Sequence, residues 1–303
     1  MLKTTTMDTV HHALVIGAGR IGTAIGNLLA KKKIAVDFFD ADPSKVPGQK
    51  PLSETVPQSN LIFLCIPSWV IREAVRDITP HLRDDTIIVL LTKGIERGTK
   101  KTVNVLLDDL LPRHKHVLIS GPMLAEELLQ NMSTVGVCAS LNAGAAQKLK
   151  EIFSGTNLTL EHSSDVTSIA LAGVLKNIYA LGLGITSALN LGSNFKGWYV
   201  QQAIREMADI IGLCGGDREA AYSCAGLGDL IATGFSPHSR NRGTGERLIN
   251  GEEGLQSEGT VSLESVIDLV GKKADQLPIL RALGDIVLQK ADAKEIFSRL
   301  TVK

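Results

Sequence analysis

Two charged residues, far apart in the chain, sit where charge is expensive. Lys176 lies at the centre of AGVLKNIYALGLG, residues 172–184, within the most apolar stretch of the protein. Asp229 lies in GLGDLIAT, again among apolar neighbours. An unpaired charge in either place is costly, so each calls for a partner, and each is the natural partner of the other. A positioned lysine can deliver a proton to a carbonyl oxygen as hydride reaches the carbon, and can take the proton back in the reverse direction. Its ordinary pKa of about 10.4 is high for a base near neutrality. Burial and a second cation lower it, whereas a carboxylate orients the ammonium and opposes the shift. Lys93, in LTKG, is the candidate second cation. Further on, SRNR sets Ser239, Arg240, Asn241 and Arg242 together ahead of two glycines. A guanidinium with hydroxyl and amide donors beside it suits a phosphate. The plainer alternatives are a lysine that snorkels to water, an aspartate that caps a helix, and a solvated loop of ion pairs.

A second constellation stands near the N-terminus. HALVIG is a short apolar run followed at once by GAGRIG. Ile21, Ala24, Ile25, Leu28 and Leu29 then recur at helical spacing. IAVDFFD reads as a second strand ending at Asp40. Strand, glycine turn and helix are the context a dinucleotide-binding fingerprint requires. Gly17 permits the tight turn, Gly19 lets backbone approach a pyrophosphate, and Gly22 lets helix and strand pack closely. Arg20 and Ile21 open the helix, whose first N–H groups face the phosphates. Asp40 can accept a hydrogen bond from a ribose 2′-OH and would repel a 2′-phosphate, and Ala41 follows it rather than an arginine. NAD is therefore the expected cofactor, with NADP left open. The alternative for Asp40 is an exposed charge at a strand end.

The elements that must carry these groups follow from periodicity. NLIFLCIPS, TIIVLLTKG, HVLIS and TVGVCAS read as further strands, with helical stretches at 69–78 and 100–111 between them. Beyond residue 162 the strand signals fade. Helices are expected over 165–190, 197–214, 217–224, 260–271 and 276–290, with GFSPHSRNRGTG and NGEEGLQSEGT as irregular segments. The fold class is α/β: a Rossmann-type, doubly wound parallel sheet followed by an all-α C-terminal domain, divided as residues 1–162 and 163–303. The site is expected in the cleft between them. Ala172, Gly173, Ala180 and Gly184 share the Lys176 side of the long helix and are expected to leave room beside the ammonium.

Composition narrows the partners. Lys plus Arg equals Asp plus Glu at 32 each, so no global basic field recruits nucleic acid or an anionic membrane. Aromatics make up only 4%, which argues against base-stacking platforms. The four cysteines form no CxxC pair, so reduced thiols are expected rather than disulfides or a metal site. MLKTTTMDTVHH contains no apolar signal core, and Lys176 and Asn177 interrupt the longest apolar run. A cytoplasmic protein without a membrane span is expected, and apolar faces on its helical half permit a homodimer.

Taken in order, GAGRIGTA, IPS, TKG, SGPMLAEE, GVLKN, GLGDLIAT, SRNRGTG and SEG make the chain resemble the soluble NAD(P)-dependent glycerol-3-phosphate dehydrogenases. The resemblance implies that Lys176 is the proton donor and acceptor, with Asp229 as the acid beside it. It implies that Lys93 touches substrate and cofactor. Gly121, Ser239, Arg240 and Asn241 would meet the phosphorylated substrate. Ala125, Glu258 and Arg240 would meet the cofactor. The implied reaction interconverts sn-glycerol 3-phosphate and dihydroxyacetone phosphate, feeding phospholipid synthesis. The chain departs from the family where Arg20 and Ile21 replace a small residue and an aromatic, where Met123 replaces a hydroxyl residue, and where Leu124 replaces phenylalanine. Residues 42–58 form a shorter segment than the family usually has. Two other readings stay open: a related dehydrogenase of another hydroxy compound, and a dinucleotide-binding regulator without turnover. Hydroxyisobutyrate-type enzymes place an asparagine one helical turn after the lysine, whereas Asn177 directly follows Lys176.

Overall fold

The computed structural model describes residues 12–300; the leader-free reading of residues 1–11 lies outside them. Seven strands form one sheet: β1 (His12–Ile16), β2 (Ala35–Phe39), β3 (Leu61–Leu64), β4 (Ile87–Leu90), β5 (Lys115–Ser120), β6 (Thr134–Ala139) and β7 (Leu158–Ser163). Their spatial order is β2-β1-β3-β4-β5-β6-β7. The first five run parallel, with Ala13 opposite both Val36 and Leu61. The sheet is the expected doubly wound, mostly parallel one, with two added features. β6 runs antiparallel to β5 and is paired in parallel with β7. β7 itself was missed, because LTLEHS is a half-exposed edge strand with too few apolar residues to stand out.

Burial on both faces explains the near-continuous apolar runs of the central strands. Ala13, Val15, Leu61, Phe63 and Val89 point to one face. Leu14, Ile16, Ile62, Leu64 and Leu90 point to the other. The sheet connections carry α1 (Arg20–Lys31), α2 (Leu52–Thr55), α3 (Ile71–Ile78), α4 (Val103–Leu110), α5 (Ala125–Leu129) and α6 (Ala143–Phe153). Leu28 of α1 and Leu149 of α6 pack in the first cluster, Ile71 of α3 and Leu107 of α4 in the second.

The second cluster runs on into the helical half, whose axis is α7 (Val166–Ala188). Asp165 caps α7 by accepting from the Ser168 N–H. By length and composition α7 could cross a membrane, yet it is wrapped in protein on every side, as a helix apolar all round must be. Around it stand α8 (Gly192–Leu213), α9 (Asp229–Phe235), α10 (Arg240–Ile249), α11 (Glu258–Val270), α12 (Pro278–Leu288) and α13 (Ala293–Arg299). The expected helix at 217–224 is only a tight turn over Arg218–Tyr222, continued by a π-type turn over Cys224–Gly228. Conversely, α10 begins inside the segment GFSPHSRNRGTG read as irregular, which α9 enters only at Gly234 and Phe235.

The small residues of α7 act differently from expectation. α10 makes the most extensive helix contact with α7. A Cβ at Gly184 would overlap the Arg242 carbonyl, and one at Gly245 would overlap the Leu181 carbonyl. A Cβ at Gly173 would press on Ser120 and the Lys93 stem. These positions admit backbone and the shaft of a lysine rather than a ligand. Elsewhere, buried Glu206 of α8 accepts from Tyr179 Oη and from the Ile279 and Leu280 N–H groups. It fixes the start of α12, and burial pushes its carboxyl up to about 7.

Candidate active site

The glycine turn has the geometry of a phosphate cradle. Gly17 adopts φ +99°, and a Cβ there would lie 2.6 Å from the Cys65 carbonyl oxygen. A Cβ at Gly22 would overlap the Gly17 carbonyl. These two glycines hold the turn against the sheet. Gly19, at the head of α1, opens onto free space, since a Cβ there would meet nothing within 4 Å. The early N–H groups of α1 have no intrahelical acceptor and face outward with the positive end of the helix dipole. A dinucleotide pyrophosphate fits this cradle. Arg20 is paired with Glu126 of α5 beside it.

From the turn, a cleft of about 520 Å³ runs between sheet and helices. Gly19, Arg20 and Ile21 line it on one side; Lys93 lies between; Lys176, Ser239, Arg240, Asn241 and Glu258 line it from the helical half. Met123, Leu124 and Ala125 also line it, and the Met123 sulfur lies against bare Gly136 of β6. Gly121 adopts φ +116° just after β5, pressed against β6, a turn that only glycine makes without strain.

At the cleft floor, two ammonium groups share one carboxylate. Lys176 Nζ donates to Asp229 Oδ1 at 2.9 Å and to Thr233 Oγ1 at 2.8 Å. Lys93 Nζ donates to Asp229 Oδ2 at 2.6 Å and to the Gly121 carbonyl at 3.0 Å. Thr233 in turn donates to Asp229 Oδ1. Lys176 is 6% exposed and Asp229 2%, so the cluster is almost dry. Burial, helped by the Lys93 charge, pushes the Lys176 ammonium down to about 8 against the pull of Asp229. Burial alone would raise Asp229, but the two ammonium groups outweigh it and hold the carboxyl below its ordinary range. Thr233 escaped the sequence reading, although its position one helical turn after Asp229 in GDLIAT was the available signal.

α10 supplies the cleft wall. Ser239 is its N-cap, accepting from the Arg242 N–H at 3.1 Å, so its hydroxyl already has structural work. Asn241 is also engaged: its amide donates to Asn177 Oδ1 at 2.8 Å and accepts from the Gly259 N–H at 2.9 Å. Asn177 donates to the Lys93 carbonyl at 3.3 Å. This amide relay ties the β4 loop, α7, α10 and α11 together. Arg240 is different, being exposed, facing the cleft, and without a hydrogen-bond acceptor among the described residues. Glu258 clasps the β3 loop, accepting from the Ser68 N–H at 2.8 Å and from Ser68 Oγ at 2.7 Å. Its recessed position raises its pKa despite these donors.

Five of the expected site residues stand off the cleft surface, and two of them, Gly121 and Asp229, lie beneath it in contact with Lys93 Nζ. Gly17 and Gly22 lie behind the turn, and Asp40 lies beyond it at the end of β2. The Asp40 carboxylate accepts from the Ala18 N–H at 2.8 Å and the Asp42 N–H at 3.0 Å, and Lys45 Nζ stands 3.2 Å away. No arginine follows Asp40 in sequence, yet a cation reaches it from five residues on. Among the described residues, no group of three or more His, Cys, Asp or Glu could hold a metal.

A glycine cradle on a Rossmann-type sheet, facing a buried lysine from a helical second half, defines the two-lobed nicotinamide-dependent dehydrogenases. The profile for the NAD-dependent glycerol-3-phosphate dehydrogenase N-terminus matches residues 42–146, and that for the C-terminus matches residues 165–298. A glycerol-3-phosphate dehydrogenase of the NAD(P)+ type from Clostridium tetani is 31% identical, covering 94% of this chain and 90% of its own. One from Clostridium perfringens is 30% identical, over 94% and 95% respectively. The crystal structure of glycerol-3-phosphate dehydrogenase from Coxiella burnetii matches with a TM-score of 0.88 at 26% identity, covering 97% of this chain and 99% of that one. The chain belongs to the NAD-dependent glycerol-3-phosphate dehydrogenase family.

Proposed function

We propose that this cleft interconverts dihydroxyacetone phosphate and sn-glycerol 3-phosphate with NAD(H) or NADP(H). The observation that carries the reading is the Lys176–Asp229–Lys93 cluster at the floor of a cleft that exposed Arg240 also lines. When bound, the nicotinamide supplies or accepts the hydride. The remaining work falls to the protein. Lys176, held by Asp229 and Thr233, keeps its third N–H for the substrate oxygen and gives up a proton as the alcohol forms. Its pKa near 8 keeps both protonation states within reach at physiological pH. Lys93 stabilises negative charge developing on the same oxygen. Arg240 at the wall meets the phosphate dianion. Ser239 and Asn241 act chiefly by fixing the start of α10, so their share in the phosphate site passes through Arg240.

We divide the labour as cofactor binding by residues 1–162 and substrate binding by residues 163–303. Met123 takes no polar part, and the hydroxyl usual at this position in the family is replaced by a thioether against Gly136. The four free cysteines accord with a reducing, cytoplasmic setting and a role in phospholipid synthesis. A homodimer is our reading of the apolar side chains exposed on the helical half, such as Leu213, Leu269 and Leu288. Purified protein should oxidise NADH when dihydroxyacetone phosphate is added, followed by absorbance. Binding of NADH without turnover would support the regulator reading instead. Turnover only with other carbonyl compounds would support a related dehydrogenase.

A further inference from the structure

The end of β2 holds an ion pair that the reaction chemistry does not use. In a parallel sheet of this kind, the adenosine ribose of a dinucleotide lies beyond the end of the second strand, where an acidic residue receives its 2′-OH. Asp40 occupies that place, but its carboxylate is already engaged. Oδ2 accepts from the Ala18 N–H at 2.8 Å, which ties the strand end to the glycine turn. Oδ1 accepts from the Asp42 N–H at 3.0 Å. Lys45 Nζ lies 3.2 Å from Oδ1 and 3.5 Å from Oδ2. A carboxylate offers about four acceptor positions, so little capacity remains for a ribose hydroxyl. The carboxylate is recessed at 11% exposure, whereas the Lys45 side chain is 49% exposed. The ammonium can therefore turn outward while two backbone N–H groups still satisfy Asp40.

Asp40 is the ion-pair partner of this cation among the described residues, and the Asp42 charge also reaches it. Asp42 faces its own turn, accepting from the Ser44 N–H and Oγ. Lys50 leans toward Asp37 at 3.9 Å. Gln49 fastens the Asp40 main chain, accepting from its N–H and donating to its carbonyl. Hydrogen bonds thus hold the Lys45 main chain beside the end of β2, which lowers the ordering cost of engaging an anion there.

Resting on the reading of the cleft as a dinucleotide site, we propose that Lys45 receives the 2′-phosphate of an NADP-type cofactor, while Asp40 serves to hold the glycine turn. The chain then takes the phosphorylated cofactor through a lysine carried on the 42–49 loop. The 2′-hydroxyl form binds at the same edge by displacing the ammonium from Asp40.

The test uses 2′,5′-ADP and 5′-AMP as probes, titrated calorimetrically into the full-length protein. Lys45→Ala should lower the ratio of 2′,5′-ADP to AMP affinity about tenfold, and Lys45→Arg should restore most of it. An unchanged ratio in Lys45→Ala, or equal weakening of both probes, would overturn the assignment and leave the lysine a loop brace. Failure of the unsubstituted protein to bind either probe would overturn both the cleft reading and this inference. No turnover enters the measurement. A protein inactive on dihydroxyacetone phosphate that still shows the expected ratio would support Lys45 while overturning the substrate reading.

Discussion

The cleft is bracketed by two lysine–aspartate pairs that share a chemistry and little else. Lys176 and Asp229 are buried at the floor, joined by Lys93 and Thr233; lost water pushes the Lys176 ammonium down, while the two ammonium groups hold the Asp229 carboxyl down against burial. Lys45 and Asp40 sit at the far edge, where the lysine remains half in solvent. Burial separates the two. A dry pair is costly to break and sensitive to pH, because desolvation favours the neutral amine. A wet pair is worth little by itself, yields readily to an incoming anion and is screened by salt. One end suits proton transfer, and the other suits reversible recognition.

The most severe way to break the contrast is Lys176→Ala. It should cut turnover roughly 10³-fold, within the range for losing a general acid, while NADH binding measured by fluorescence persists. Turnover within a few-fold of the parent would remove Lys176 from the mechanism. Asp229→Asn leaves two buried ammonium groups facing a neutral amide. Turnover should fall roughly 10²-fold, and thermal denaturation should report a loss of about 3 kcal/mol, as expected for a buried pair deprived of one partner. A melting temperature like the parent's would mean that water reaches the cluster.

Arg240→Ala removes an exposed charge and should act mainly on the substrate KM, raising it roughly tenfold or more in steady-state kinetics. An effect confined to NADH affinity would move Arg240 out of the phosphate site. The pH profile sharpens the comparison further. Ketone reduction uses the ammonium form, so its kcat/KM should hold below about 8 and decline above it. Alcohol oxidation uses the amine, so it should climb toward about 8 and level off beyond. Two profiles bending the same way would contradict a single lysine serving both directions. The smallest expected effect is at the wet pair. Raising ionic strength from about 0.05 to about 0.5 M should weaken 2′,5′-ADP several-fold, with the pH limbs of turnover left in place.

Much of this architecture was legible because its signals are local. HALVIG-GAGRIG carries its own strand, turn and helix, and the turn forms where the glycine spacing puts it. LKN announced itself through a charge in an apolar run. The losses came where tertiary packing overrode local preference. GFSPHSRNRGTG is rich in serine, proline and glycine, which weaken helices, yet α10 forms there because Gly245 lets it lie directly on α7. Gly245, which weakens the helical signal in sequence, is what the packing requires. Similarly, nothing within DADPSK says that its lysine folds back onto its first aspartate. The Lys176–Thr233 bond joins two helices and the Ser68–Glu258 clasp joins α11 to the β3 loop, contacts between distant segments that sequence spacing alone did not single out.

The seam between α7 and α10 has a further meaning. At Gly184 and Gly245 one helix rests on the other through peptide groups, with no side chain between them to flex or change rotamer. Lys176 belongs to one helix and Arg240 to the other, so main-chain contact sets the spacing of the backbones that carry the two side chains. Such a seam acts as a gauge. On the proposed chemistry it would fix the span from a reacting carbonyl to its phosphate, and an alanine at either glycine would force the two helices apart.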